Sequence, residues 1–175
     1  MVVILIFFEL LGFLFISSCA LLFHYVDYFF KPNKFTDILS TNNDSIWENL
    51  KVVVLPIILW TFIELPAVST NKNVLLATII KLFITMALLF VIYYSSQVIL
   101  KKKPPLLKGI AIYAASFIGS ITAYMILSMK TVIDVNLIVT ISILVIFIII
   151  YLVLSLVPPK IFLFQDPDTK VYGKN

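Results

Sequence analysis

The sequence predicts an all-α integral membrane bundle of five transmembrane helices. Of its 175 residues, 62% are hydrophobic and 13% are charged, and the mean hydropathy is +1.11. An ordinary soluble domain is about 45–50% apolar and about 25% charged. A water-soluble globule of this size could not hide so many apolar side chains, because its surface needs polar cover. The composition therefore excludes a soluble enzyme, a secreted disulfide scaffold and a disordered protein.

Five apolar runs are long enough to be spans, since a spanning helix needs about 20 residues to cross a hydrocarbon core of roughly 30 Å. The predicted spans cover about residues 2–23, 46–65, 74–100, 110–129 and 137–157 of a single transmembrane domain, 1–175, with a cytoplasmic tail at 158–175. The length of these runs favours helices over the short alternating strands of a membrane barrel.

The first span carries Glu9 as its only charge. It lacks the basic segment of a signal peptide and is longer than a typical signal sequence. The run Ile16-Ser17-Ser18-Cys19 resembles a lipoprotein cleavage site, but the apolar residues continue beyond it. We therefore expect Cys19, the one cysteine, to be a buried packing residue, with lipoprotein processing as the alternative.

The second span begins at a predicted helix cap. Ser45 and Glu48 have the spacing of a capping box, in which each side chain accepts a hydrogen bond from the backbone N–H of the other residue. Asp44 adds negative charge near the positive end of the helix dipole. Lys51 follows Glu48 by three residues and is expected to pair with it, and Trp47 is expected to be an anchor at the membrane interface.

The third span contains Lys81, which we expect to pair with Glu9. Both residues lie about seven residues inside the outer end of their helices, a depth of roughly 10 Å. Isolated charges at such a depth are costly and usually find partners. The alternative is that Lys81 extends outward to the membrane surface and Glu9 is protonated. Glu64 lies near the outer end of the second span and is predicted to be too shallow to need a partner.

The fourth span has a small residue at every fourth position: Ala111, Ala115, Gly119 and Ala123. Such a face lets two helix backbones approach closely, either within one chain or between two copies in a homodimer. The fifth span is apolar on almost every side and is therefore expected to face lipid over much of its surface.

The lysines predict the orientation. All 13 basic residues are lysines, and with alternating loops ten of them fall on one side, against Lys72 and Lys130 on the other. Positively charged loops stay in the cytoplasm, so the N-terminus is predicted outside and the C-terminus inside. The absence of arginine argues against nucleic acid as a partner, whereas the basic loop at residues 101–108 would attract anionic membrane lipids.

Most polar side chains fall on the predicted cytoplasmic side. His24 and Asp27 share a face at the end of the first helix, and with Glu48 they could line a vestibule for a cation or a proton. A purely structural role for the cluster is the alternative. The candidate binding residues are His24, Asp27, Asn43, Asp44, Ser45, Trp47, Glu48, Lys51, Asp166 and Tyr172.

The tail combines turn and apolar residues. Pro158 and Pro159 are predicted to end the fifth helix, and residues 166–169 have the composition of a turn. Residues 161–164 are too apolar for a free tail, so we expect them to lie against the bundle and to bring Asp166 and Tyr172 near the first loop.

Two motifs resemble those of a family of small bacterial multispan membrane proteins of unknown function. Residues 43–51 read N-D-S-I-W-E-N-L-K and resemble the family's N-E-S-V-W-E-H-x-K. Residues 166–173 read D-P-D-T-K-V-Y-G and are similar to its C-terminal D-P-x-T-x-x-Y-G. Asn49 stands where the motif has His, so any activity that depends on that His would be absent here. The resemblance implies a fold and no activity.

The sequence points to a non-enzymatic role in the cytoplasmic membrane of a bacterium. It contains none of the common nucleotide-binding, zinc-protease or serine-hydrolase motifs, and no catalytic residue, metal site or cofactor is predicted. The leading hypothesis is a small transport, binding or accessory protein with a polar vestibule on the cytoplasmic side. The alternatives are a membrane-embedded enzyme acting on a lipid-like substrate and a structural subunit of a larger complex.

Overall fold

The computed structural model describes residues 2–31, 33–68, 71–99, 105–129, 133 and 136–173. Its helices are α1 (Val2–His24), α2 (Val26–Phe29), α3 (Lys34–Leu39), α4 (Ile46–Lys51), α5 (Val54–Glu64), α6 (Val74–Ile99), α7 (Pro105–Leu127) and α8 (Leu137–Leu156), and a short 3₁₀ turn follows at Phe162–Phe164. Within these ranges the chain is helical and forms no strand, apart from a single antiparallel bridge between Gln165 and Tyr172. The predicted all-α class is confirmed.

Five helical segments among the described residues are long and apolar enough to span a membrane, which is typical of a multi-pass membrane protein. They are Val2–His24, Ile46–Glu64, Val74–Gln97, Leu106–Leu127 and Leu137–Leu156. The predicted number of spans is therefore confirmed. The helix of the fourth span, α7, begins at Pro105 rather than at 110, because proline is well suited to the first turn of a helix. The three lysines of the predicted basic loop, Lys101–Lys103, lie outside the described residues.

The second span consists of two helices, α4 and α5, with a turn at Val52 and Val53. Pro56 explains the interruption. Proline has no N–H to donate to the carbonyl four residues earlier, which is that of Val52, and its ring collides with that carbonyl. The break was not predicted, although Pro56 is visible in the sequence.

The interior of the bundle is formed around α6, which packs against α4, α5, α7 and α8, while α1 packs against α5 and α7. The helix α8 is covered least. Its buried residues are the three polar ones Thr140, Tyr151 and Ser155, and most of its Ile, Leu and Val side chains are exposed. The described part of the chain therefore leaves much of the fifth span uncovered, as expected for a helix that faces lipid.

The small-residue face of α7 packs inside the monomer. Ala111, Ala115 and Ala123 are fully buried, and Gly119 lies against Thr85 and the backbone of Lys81 on α6. Because Gly119 has no side chain, α6 and α7 can approach each other closely. The face is therefore occupied within one chain, which supports the packing alternative.

We expect Gly119→Ala to destabilise the protein by about 1–3 kcal/mol, because overpacking a tight contact forces the backbone to move. A Cβ atom at this position would collide with the Thr85 hydroxyl and lie 3.3 Å from the carbonyl oxygen of Lys81. The matched control is Gly109→Ala on the same helix, where the nearest atom is a Leu21 methyl at 3.9 Å. Unfolding in detergent measures both variants, and equal stabilities would contradict the close helix contact.

Candidate functional site

The predicted cytoplasmic residues meet at one end of the bundle, which we call the polar end. It contains the segment 40–45, the start of α4, the start of α7 and the tail after α8. The Asn43 side chain donates to the carbonyl of Gly173 at 2.7 Å, and the backbone N–H of Asp44 donates to Asp166 Oδ2 at 2.9 Å. Lys108 Nζ forms an ion pair with Asp44 Oδ1. The tail therefore lies on the first loop, with Asp166 at the contact.

Asp166 also organises the tail itself. Its Oδ1 atom accepts hydrogen bonds from the backbone N–H groups of Asp168 at 2.8 Å and Thr169 at 3.0 Å, so it forms the predicted turn. The bridge between Gln165 and Tyr172 then returns the chain toward the loop. Gly173 has φ +69°, a left-handed conformation that favours glycine. A Cβ atom there would also lie 2.6 Å from Pro158. Both the backbone conformation and the lack of space therefore favour glycine at this position.

The start of α4 is capped, but only half of the predicted capping box forms. Ser45 Oγ accepts from the backbone N–H of Glu48 at 3.4 Å. The Glu48 carboxylate does not return to Ser45; it accepts from the N–H of Asn42 at 2.7 Å. The N–H of Ser45 instead donates to Asn43 Oδ1 at 2.8 Å. The prediction of this reciprocal bond is therefore wrong. The loop folds back, so that Glu48 bonds to Asn42 and the N–H of Ser45 bonds to Asn43.

Ser45→Ala should cost about 1 kcal/mol, the usual effect of losing a side-chain cap. Ser128→Ala is the control, since Ser128 is exposed and its hydroxyl bonds to the carbonyl of Met125, three residues earlier on the same helix end. Thermal unfolding in detergent compares the two variants. If Ser45→Ala retains wild-type stability, the hydroxyl does not stabilise α4.

Glu48 and Lys51 form a buried ion pair. Their charged atoms are 2.7 Å apart, and their side chains are 3% and 0% exposed. Lys51 Nζ also donates to the carbonyl of Asp37 at 2.6 Å, and the Tyr151 hydroxyl donates to the carbonyl of Ile38 at 2.6 Å. These contacts connect α3, α4 and α8. The two charges neutralise each other, and Lys51 also bonds to a backbone carbonyl; buried charges need such pairing and hydrogen bonding.

Two other predicted residues have different positions from those expected. Trp47 is 6% exposed and packs on Phe164 with ring centroids 5.3 Å apart, so it is a core residue between α4 and the tail and not an interfacial anchor. His24 ends α1 and lies 3.2 Å from the Thr41 hydroxyl through Nδ1. A turn at Tyr25 separates it from α2, so one continuous helix does not hold His24 and Asp27. The Asp27 side chain lies outside the described residues.

Asn49, which stands in place of the motif His, is buried on the inner side of α4. Its amide donates to the carbonyl of Ser45 at 2.8 Å. Across the described ranges, no three His, Cys, Asp or Glu side chains come close enough to hold a metal ion. The polar end thus consists of groups that bond to one another, and its geometry is that of a structural lock between helices, loop and tail.

A second cluster lies within the spans, where Lys81 of α6 faces Glu9 of α1. Lys81 Nζ is 2.9 Å from Glu9 Oε1 and 2.7 Å from Oε2. Both residues are less than 5% exposed. The two side chains that the sequence pairs at equal depth are therefore in contact.

Glu64 is a third member of this cluster, and the prediction that it lies too shallow to need a partner is wrong. It is 2% exposed, and its Oε2 atom lies 3.9 Å from Lys81 Nζ. After α5 the chain turns, and the N–H groups of Ala67 and Val68 donate to the backbone carbonyl of Glu64. Asn71 then donates to the carbonyl of Leu127 at the end of α7. We call Glu9, Lys81 and Glu64 the triad.

A groove between α1 and α7 leads to the triad. Its volume is about 220 Å³, and Glu9 and Ser120 are polar residues among largely apolar lining side chains. Ser120 is 3% exposed; its hydroxyl lies beside the Glu9 carboxylate, and no donor among the described residues bonds to its oxygen. The groove opens between Leu10 and Phe117, which are 50% and 43% exposed. A buried carboxylate is thus close to the lipid-facing surface.

Comparison with known proteins places the whole chain in one family. No curated protein and no solved structure matches the sequence. A family model matches residues 4–174, which include four of the spans, nearly all of the first span and both motifs, and its description is a family of unknown function. Since that match covers nearly the full length, the chain belongs to DUF6512, a family of unknown function.

Proposed function

We propose that this chain is a small, non-enzymatic membrane protein of the transport or binding class, and that its site is the triad. The observation that carries the proposal is the charge count: two buried carboxylates face one buried ammonium. The polar end, for which the sequence leaves a vestibule and a structural role open, supports a structural role better, because its ionic groups are paired with one another.

The triad carries one negative charge too many if all three groups are ionised. An uncompensated charge inside a membrane-spanning bundle costs at least a few kcal/mol, whereas a proton bound between two neighbouring carboxylates removes the excess. The triad therefore holds one exchangeable positive charge, a proton in the resting state, shared between Glu9 and Glu64 beside Lys81.

A site of this kind suits binding or ion-coupled transport. The resident proton can leave when another cation takes its position, and Lys81 keeps the remaining carboxylate neutralised throughout. Intramembrane ionisable residues most often mark such ion and substrate paths. An enzyme would need a reactive group beside a bound substrate, and His24 and Glu48 are instead engaged with Thr41 and Lys51.

The test is infrared spectroscopy of the protein in lipid nanodiscs at neutral pH. We expect the C=O stretching band of a protonated carboxyl group that disappears in Glu9→Gln and in Glu64→Gln. The control is Glu48→Gln, which removes a carboxylate whose charge Lys51 already balances and should leave the band unchanged. A wild-type spectrum without the band would contradict the proton site and favour a structural subunit.

We also propose the cytoplasmic membrane of a bacterium as the location, with the polar end inside. The lysine distribution supports this orientation. Reporter fusions after Lys103 and after Asn175 are expected to read cytoplasmic, and a fusion after Lys72 is expected to read external. An external signal from the fusion after Asn175 would contradict both the orientation and the five-span topology.

A further inference from the structure

We propose that the groove between α1 and α7 binds the head of a single-chain alkylammonium amphiphile, which enters from the bilayer and replaces the proton of the triad. The inference rests on the proposed function, since it identifies the cation that the triad would exchange. The chemical class is an aliphatic chain ending in an ammonium group with N–H donors.

Charge is the first support for this class. The Glu9 carboxylate lies at the groove and belongs to a cluster with one carboxylate more than its ammonium partner. A neutral ligand leaves that excess to the proton, and an anionic ligand would add to it. A cation is the one charge type that can take over the proton's role.

Unused hydrogen-bonding capacity is the second support. Ser120 Oγ is buried at the groove beside Glu9 and can accept a hydrogen bond, but no donor among the described residues bonds to it. An ammonium group placed between Ser120 and Glu9 would donate to both. A quaternary ammonium could supply the charge but none of these hydrogen bonds.

Shape and surroundings are the third support. The groove holds about 220 Å³, less than the about 300–1,000 Å³ of pockets that enclose drug-sized ligands, so it fits a head and the first methylene groups. Phe13 and Phe117 line it with ring centroids 5.3 Å apart, and aromatic faces attract cations. The remaining chain would lie along exposed Leu10 in the hydrocarbon.

The exchange is balanced in charge and protons. The ammonium enters with its positive charge, the shared carboxyl proton leaves to water, and no covalent bond changes except the O–H bond of the carboxyl group. Each bound ammonium therefore releases one proton. A neutral alcohol of the same chain length releases none, so proton release separates specific binding from simple partition into lipid.

The experiment adds decylammonium to the protein in weakly buffered, zwitterionic nanodiscs and records proton release with a pH indicator, with empty nanodiscs as the baseline. We expect saturable release of one proton per protein, weaker binding of decyltrimethylammonium, and no release with decanol. Glu9→Gln and Glu64→Gln should both abolish the release, the second although Glu64 is outside the groove lining, because either change removes the excess charge.

Ile121→Trp tests the groove without touching the triad. Ile121 lies on the groove and is 43% exposed, so the larger ring should block the opening and weaken decylammonium binding about tenfold or more while the infrared carboxyl band persists. Release that is undiminished in Ile121→Trp would overturn the groove assignment. A wild-type protein that shows the carboxyl band but releases no proton would overturn this inference and leave the proposed function unaffected. A wild-type protein without the carboxyl band would overturn both.

Discussion

Lys81→Met is expected to destabilise the protein by about 3–5 kcal/mol, the usual cost of removing one partner of a buried ion pair. The substitution removes the ammonium that faces Glu9 and Glu64. To become neutral they must bind a second proton, and for a carboxyl group with an ordinary pKa near 4.3 that costs roughly 3–4 kcal/mol at pH 7. Reversible unfolding in mixed micelles measures the loss.

Lys72→Met is the matched control, because Lys72 is exposed and lies just before the same helix. We expect its free energy of unfolding to stay within about 0.5 kcal/mol of the wild-type value, as for most surface substitutions. A loss of less than about 1 kcal/mol in Lys81→Met, the range of a surface pair, would mean that the ammonium does not neutralise the triad.

Lys51→Met is the second large effect, again about 3–5 kcal/mol. Lys51 is fully buried and bonds to the Glu48 carboxylate and to the carbonyl of Asp37. Its removal leaves the buried Glu48 carboxylate without its counter-charge and takes one donor from the Asp37 carbonyl. Because this pair connects α3 with α4, we expect the segment that contains α3 to lose protection against amide hydrogen exchange.

Lys34→Met is the control for this variant, since Lys34 is exposed at the first position of α3. It should leave both the stability and the exchange pattern nearly unchanged. If Lys51→Met behaves like Lys34→Met, then the ion pair does not hold the polar end together, and its interpretation as a structural lock is wrong.

The helices were predictable because a membrane imposes long apolar runs on the sequence. The contact between Glu9 and Lys81 could also be predicted, because the depth of each residue in its span is found by counting residues from the outer end of the helix. The break at Val52 was available from Pro56, whose missing N–H interrupts any helix.

The role of Glu64 was harder to predict because burial at a helix end depends on where the following loop goes. Asn71 and Asn73 fasten that loop to the end of α7, and nothing in the spacing of the two asparagines indicates this contact. The polar end has the same limitation. Helical spacing places His24 beside Asp27, but the turn at Tyr25 and the pairing of Glu48 with Asn42 depend on tertiary contacts.

The most direct test of the triad is a double-mutant cycle on Glu9 and Lys81. Unfolding free energies are measured for Glu9→Gln, Lys81→Met and the double variant, together with a control cycle in which Glu48→Gln replaces Glu9→Gln. We predict a coupling energy of about 0.5–3 kcal/mol between Glu9 and Lys81 and additive losses in the control cycle. Additive losses for Glu9 and Lys81 would contradict the account, because they would mean that the two side chains do not interact.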